Sequence, residues 1–229
     1  MDLTSREIIS RMQHSLYKYF TKRKWADLFL AGEVLFRSLA YFRDYEDENV
    51  RRDKNEGTSV FRPAGGLLIN NLTQGTSFTL PNSAFESTAN QEEIFVFCAS
   101  RSLSDEVRRR FEAAVCVEIL KIQTFCERIK GALPADATFH AGRVEYYDQR
   151  DSVSPRWALP DQVAMSKFES YRWQNEFRLL FCLTDALGFE KGAYRLVKGD
   201  VAGDPKLSEH RKYPVRARSF HDICRLHEF

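Results

Sequence analysis

The sequence predicts a single α+β domain, residues 1–229, built on a mixed, split β-sheet with flanking helices, and three observations carry that prediction. Strand-like segments outnumber helical ones. The helices cluster early and between the middle strands, so the order is neither a regular βαβ alternation nor an all-β series. Hydrophobic residues make up 43% of the 229 positions and aromatics 13%, enough apolar area for one large core, and no compositional shift marks a linker.

Taken in chain order, residues 4–14 carry Ile8, Ile9 and Met12 on one helical face, with Thr4 or Ser5 as cap and Glu7 placed for a capping box. Residues 16–20 read as an aromatic strand whose period of two puts Tyr17 and Tyr19 on one face. A helix follows at 22–30, capped by Thr21, striped by Trp25, Leu28 and Phe29 and ended by Gly32. Residues 33–39 read as a second strand. Apolar periodicity vanishes over 44–57 while charge is dense, which predicts a long exposed loop. Its arginines, Arg51 and Arg52 among them, are expected to approach an acceptor.

Weak strands are expected at 59–62, 66–72 and 76–80, broken by Pro63 and Pro81. Residues 93–99 are apolar on both faces and predict a central strand. Ser102 or Ser104 caps a helix at 105–113; a strand at 115–120, a helix at 124–131, a strand at 139–148 and a helix at 161–171 complete the middle. The most strongly patterned strand is 173–183, and a hairpin region is expected to join 193–197 to 219–229 across a Gly/Pro/Lys-rich excursion.

Composition narrows the function classes. A net charge of +2 argues neither for nor against an anionic partner, although basic residues gather at 22–24, 51–52, 108–110 and 210–218 and acidic ones at 44–48. Five widely spaced cysteines with no C-x-x-C pair read as reduced residues of a cytoplasmic protein. The first residues lack the order of a secretion signal, and no apolar run approaches the roughly 18 residues of a membrane span, so no membrane partner is expected. Dinucleotide, P-loop, nucleophile-elbow, zincin and zinc-deaminase signatures are absent. The histidines lie far apart with no ligand spacing, so none is assigned to a metal.

Chemistry concentrates at Gln174-Asn175-Glu176-Phe177-Arg178. On a strand, Gln174, Glu176 and Arg178 share one face beside the apolar Phe177, Leu179 and Phe181, and an aromatic group of Phe168, Tyr171 and Trp173 precedes them. A half-exposed strand with its polar face in water fits the same pattern.

The opening strand Leu16-Tyr17-Lys18-Tyr19-Phe20, the helix ending at Ala31-Gly32 and a strand containing Phe36-Arg37-Ser38 resemble the start of ADP-ribosyltransferases, where L-Y-H-x-T, a helix and G-x-L-x-S-R recur. Gln174-x-Glu176 is similar to the Q-x-E or E-x-E motif carrying their catalytic glutamate. The array including Phe42-Arg43-Asp44-Tyr45-Glu46-Asp47, Asp53-x-x-Glu56-Gly57 and Trp173-x-x-Glu176-x-Arg178 also looks like a group of bacterial proteins related to mRNA-targeting ADP-ribosyltransferase toxins of anti-phage toxin–antitoxin–chaperone systems.

The resemblance implies NAD as substrate, an RNA acceptor and an antitoxin partner. It implies that Glu176 stabilises the sugar cation formed as nicotinamide leaves and that Gln174 meets the acceptor. Tyr17 or Tyr19 would stack on the nicotinamide, Arg37 would bond a phosphate or ribose, and Ser38 would support the nicotinamide pocket. Lys18 stands where the family has histidine or arginine against the NAD ribose, and Arg37 or Arg43 could replace that contact. Two other readings remain open: a non-catalytic module binding single-stranded nucleic acid through aromatics and basic side chains, and a nuclease using Asp44, Glu46, Asp47, Asp53 and Glu56 as metal ligands.

Overall fold

The computed structural model describes residues 15–44, 53–150, 159–198 and 210–229. The expected helix at 4–14, the acids Glu46 and Asp47 and the arginines Arg51 and Arg52 lie outside the described residues.

The chain opens with β1 (Leu16–Phe20), α1 (Arg23–Leu30) and β2 (Glu33–Ser38). Gly32, at φ +100°, makes the turn between α1 and β2; a Cβ there would stand 2.3 Å from the Ala217 carbonyl oxygen, so glycine is required. Contrary to expectation, Thr21 does not cap α1: the N-cap is Lys22, with no side-chain cap bond. There follow α2 (Leu39–Asp44), β3 (Thr58–Phe61), β4 (Leu67–Asn71), β5 (Thr76–Leu80), β6 (Ser83–Thr88) and β7 (Phe95–Ser100). Next come α3 (Asp105–Arg110), capped by the Ser104 side chain, then β8 (Val115–Ile119), α4 (Ile122–Ala132), β9 (Thr138–Arg143) and β10 (Glu145–Tyr147). The last elements are α5 (Pro160–Ala164), β11 (Ser166–Phe168), a 3-10 turn (Glu169–Gln174), β12 (Glu176–Cys182), β13 (Ala193–Lys198), β14 (Lys212–Arg216) and β15 (Cys224–Glu228).

The main sheet has eight strands: β14, β2, β7, β1, β8 and β15 in order, with β12 and then β9 added through β7. The architecture is α+β, with mostly antiparallel pairing. One edge of β7 takes β12 along its whole length, from Glu176↔Ser100 to Phe181↔Phe95. The other edge is shared: β2 pairs only at Val96 and Phe95, and β1 only at Ser100. Phe97 to Ala99 have no strand partner on that edge among the described residues, and there Lys18 Nζ donates to the Cys98 carbonyl at 2.7 Å. The sheet is thus split between β1 and β2, with a lysine ammonium in place of a missing strand bond.

Two cores flank this sheet. Along β12 all seven residues are buried; Phe177, Leu179 and Phe181 enter the larger core, whereas Leu180 and Cys182 enter the smaller. The larger core sits under α1 and α4, where Phe29 meets Phe97, Phe125 and Phe220 at 5.3–5.8 Å between ring centres. The alternation leaves Glu176 and Arg178 on the face of the smaller core, beneath α2 and α5.

Several local expectations are corrected. Residues 161–171 do not form one helix: α5 is short, and β11 and the 3-10 turn fill the rest. Strand 173–183 begins at Glu176, because Asn175 takes a left-handed conformation, φ 44° and ψ 55°, which turns the chain from the 3-10 turn into the strand. The 139–148 strand breaks at Val144, whose N–H bonds the Glu176 carbonyl. The expected terminal hairpin is absent: β13 pairs with β6 and β15 with β8, while the excursion between them supplies β14, an edge strand on β2 that tolerates Pro214.

Candidate active-site cleft

The polar centre of the molecule is assembled from three segments, of which the first lies far from the other two in sequence. The first is the turn Asp53–Gly57, inside the stretch whose charge predicted exposure. Asn55 N–H bonds Asp53 Oδ1 at 2.9 Å and Glu56 N–H bonds the Asp53 carbonyl at 2.8 Å, so the turn closes on itself. Gly57, at φ +72°, leaves room for the Gln91 side chain, which donates to the Glu56 carbonyl at 2.7 Å. Asp53 and Glu56 are buried, 2% and 1% exposed. The second segment is β11, parallel to β10, which delivers Lys167. The third is the junction of the 3-10 turn and β12, which presents Gln174, Glu176 and Arg178.

Arg178 grips Glu56 through two parallel bonds, Nη1–Oε1 at 2.6 Å and Nη2–Oε2 at 2.9 Å. Its Nε donates to Glu176 Oε2 at 2.9 Å, and Nη1 also reaches the Ala164 carbonyl at 2.6 Å. Lys167 Nζ donates to Glu176 Oε1 and Gln174 Oε1, both at 2.8 Å, with Glu56 Oε2 at 3.6 Å. The strand reading of Gln174 is therefore corrected in geometry, yet Gln174 and Glu176 converge on one ammonium.

Two carboxylates and two cations balance, and the electrostatics follow. Burial alone raises the Glu176 carboxyl, but Lys167 and then Arg178 outweigh it and hold it down to about 2. Burial likewise lowers Lys167 and Arg178, and the facing glutamates reverse both shifts, leaving the cations charged. Asp53 behaves differently: burial first, then the Glu56 charge, raise it to about 6.

Glu176 is the most exposed of the four charged members of the cluster and lines a cleft together with Lys167 and Gln174. Its side chain keeps 10% of its surface, against 1% for Glu56 and Arg178 and 5% for Lys167. It opens into a cleft of about 100 Å³ whose opposite wall includes Tyr17, Tyr19 and Phe111. Each Glu176 oxygen accepts one bond from a cation, and a carboxylate has about four lone-pair positions, so it retains acceptor capacity toward the cleft.

The other sequence-derived candidates divide. Tyr17 donates to Glu118 Oε1 at 3.3 Å, and Tyr19 accepts from Ser104 N–H at 2.7 Å and donates to the Ser102 carbonyl at 3.2 Å; both rings face the cleft with polar ends fixed. Lys18 touches the cleft but points through the split, its ammonium 4.5 Å from the Phe97 ring centre. Arg37 stacks on Tyr41 at 4.3 Å, and Ser38 Oγ accepts from Arg211 N–H at 3.1 Å; both sit at the β2 end of β7 and do not line the cleft. Arg43 bonds Asp44 through Nε and Nη2 and reaches Gln91, the residue that holds the Glu56 carbonyl. It therefore bears on the cluster at one remove.

Comparison with family models, curated proteins and solved structures finds no match to this chain. The site is therefore read from its own geometry. Of the acids considered as metal ligands, Asp44 is paired with Arg43 and lies 3.4 Å from His210, and Asp53 and Glu56 face Lys167 and Arg178. No group of three or more His, Cys, Asp or Glu placed to hold a metal occurs among the described residues. No helix among them is long and apolar enough to cross a membrane.

Sequence reasoning missed the roles of Glu56 and Lys167. Glu56 had a signal in the D-x-x-E-G spacing, where a glycine directly after an acid marks a turn that can carry it inward. Lys167 had none, since a lysine within the expected helix at 161–171 reads as surface.

Proposed function

We propose that the protein cleaves the nicotinamide–ribose bond of NAD and transfers ADP-ribose to an RNA acceptor, as a cytoplasmic toxin of anti-phage defence restrained by an antitoxin protein. The supporting observation is Glu176: a carboxylate kept ionised by Lys167 and Arg178 on the wall of an aromatic cleft. The sequence resemblance supplies the substrate, the acceptor and the biological setting.

In this reading nicotinamide leaves with the bonding electron pair as a neutral base, and positive charge develops at the ribose C1′. Glu176 lies where its spare lone pairs can bond the ribose 2′-hydroxyl and oppose that charge, an interaction that strengthens toward the transition state. Lys167 and Arg178 are positioning residues: one on each oxygen, they fix the plane of the carboxylate before substrate arrives. Tyr17 or Tyr19 stacks on the nicotinamide, and Tyr17 is the more open of the two, since Tyr19 is 7% exposed and stacked on Phe229. Gln174, tied to the same ammonium as Glu176, borders the side from which an acceptor oxygen or nitrogen attacks C1′ and loses its proton.

The test is incubation with adenylate-labelled NAD, with and without RNA. Label on the RNA and free nicotinamide are expected together. Absence of nicotinamide release under all conditions would end the transferase reading in favour of a non-catalytic nucleic-acid-binding module.

A further inference from the structure

At the end of the main sheet, where β7 and β9 finish on either side of the start of β12, two arginines flank β12. Arg101 follows the last residue of β7, and its N–H donates to the Asn175 carbonyl at 2.8 Å, extending the Glu176↔Ser100 register by one residue. Arg143 closes β9 opposite Phe177, on the other flank of β12. Strand alternation puts both on the face away from the Glu176 carboxylate.

Their hydrogen-bonding account does not close. Arg101 Nε is buried with no partner, and the one side-chain bond of this guanidinium is a long contact of 3.4 Å from Nη1 to Asn175 Oδ1. Neither Arg101 nor Arg143 has an ion pair among the described residues, in a molecule where most other arginines near the site are matched to a carboxylate. Burial first, and then the charge of Arg143, hold the Arg101 pKa below its usual value. A buried donor without an acceptor is unfavourable, and the exposed Arg143 adds a second cation beside it. A built-in arrangement of this kind is relieved by an anion with several acceptor oxygens, and the planar guanidinium fork matches phosphate geometry.

We infer that Arg101 and Arg143 form a phosphate-binding site at the β7–β12–β9 end of the sheet, for a phosphate group carried by a nucleotide or by a polynucleotide. The site is joined to the cleft through one short loop. Arg101 is followed by Ser102, whose carbonyl accepts from the cleft residue Tyr19 and whose Oγ accepts from Asn175 Nδ2 at 3.3 Å. Asn175, whose carbonyl accepts the Arg101 N–H, is the residue directly before Glu176, so the arginine pair and the carboxylate share one strand end. A ligand curling over this strand end meets the arginine pair on one face and Glu176 on the other.

The experiment measures equilibrium binding of two labelled probes, ADP and a single-stranded RNA 12-mer, to the intact chain and to Arg101→Gln, Arg143→Gln and the double variant, with Lys191→Gln as an exposed control. Each arginine variant is expected to lose about tenfold or more in affinity for the probe that uses the site, the scale of one charge-assisted bond. If RNA is that probe, the slope of log affinity against log salt falls by about 0.7 for each phosphate contact removed; if ADP alone loses affinity, the source is a nucleotide. Thermal melts keep the result clear of misfolding, since removing one of two like charges leaves stability level or higher. The inference is overturned if the intact chain binds neither probe, or if the double variant binds both as tightly as the intact chain. Nicotinamide release is scored separately, so loss of phosphate binding in a protein that never cleaves NAD leaves the arginine site standing and removes the transferase reading alone.

Discussion

Tyr17 and Glu176 lie in one row of the sheet, each the register partner of Ser100, so the ring and the carboxylate project from the same face on opposite sides of β7. Their meeting in one cleft follows from strand pairing alone, before any side-chain contact is considered. That geometry makes the following outcomes measurable.

Glu176→Gln retains shape and most hydrogen bonds and removes the charge. Nicotinamide release should fall by about 100-fold or more with NAD affinity little changed, the scale of one lost preorganised electrostatic contact. Because Glu176 is buried between two cations, the variant should also lose several kcal/mol of stability, unlike a surface pair, where about 1 kcal/mol is the ceiling. Steady-state rates measured well below the melting midpoint, beside a melt of the same sample, separate the two effects. An undiminished rate in the folded variant excludes the proposed role.

Glu56→Gln leaves Arg178 buried without its two-bond partner and should cost about 3–5 kcal/mol in denaturant unfolding. An exposed residue of a charged loop would change stability by no more than about 0.5 kcal/mol. A cost within that smaller range would contradict the buried cluster.

Asp53 gives the protein an acid-side signature. Its carboxyl titrates at about 6 when folded and at about 4 when unfolded. Between those values the folded state holds the extra proton, so this group lowers stability as pH rises from about 4 to about 6, and the loss is constant above. Glu176 acts in the opposite sense: with its folded value depressed to about 2, the stability it adds is complete above about 4.5 and disappears as pH falls toward 2. Asp53→Asn should therefore raise stability at pH 7 and remove the slope between pH 4 and 6, as read from unfolding midpoints across that range. Persistence of the slope in the variant would assign it elsewhere.

Lys18→Met should cost about 1–3 kcal/mol, because the Cys98 carbonyl in the split loses the donor that replaces a strand bond. If NAD affinity falls by tenfold or more while stability stays level, Lys18 serves the ligand and not the sheet; affinity titration with a parallel melt distinguishes the two.

Much of this was legible in the sequence, and the parts that were not share a physical cause. The central β7 and the long β12 declare themselves because burial on both faces demands unbroken apolar runs. The Gln174–Glu176–Arg178 group is visible for the converse reason: polar residues entering such a run need partners to be tolerated. One of those partners is near in sequence and the other far. Glu56 is 122 residues from Arg178, within a segment whose average polarity reads as surface, and only tertiary pairing draws it inward. Lys167 is hidden by the same rule, since burial of a lysine is decided by the carboxylates it meets. Strand β14 was obscured by Pro214, which local rules place in a loop and an edge position permits. The arrangement of β1 and β2 on one edge of β7 depends on which strand reaches that edge first, information that no window of residues contains.

The long span between Glu56 and Arg178 also governs when the cleft comes into existence. Loops of that length close late, because the entropy of bringing their ends together is lost before any contact repays it. A chain growing from its N-terminus presents Tyr17 and Tyr19 early and holds Glu56 without its counter-charge until β11 and β12 have followed. The carboxylate cluster cannot form until β12 has been made, and only from that point does Glu176 have both of its cations.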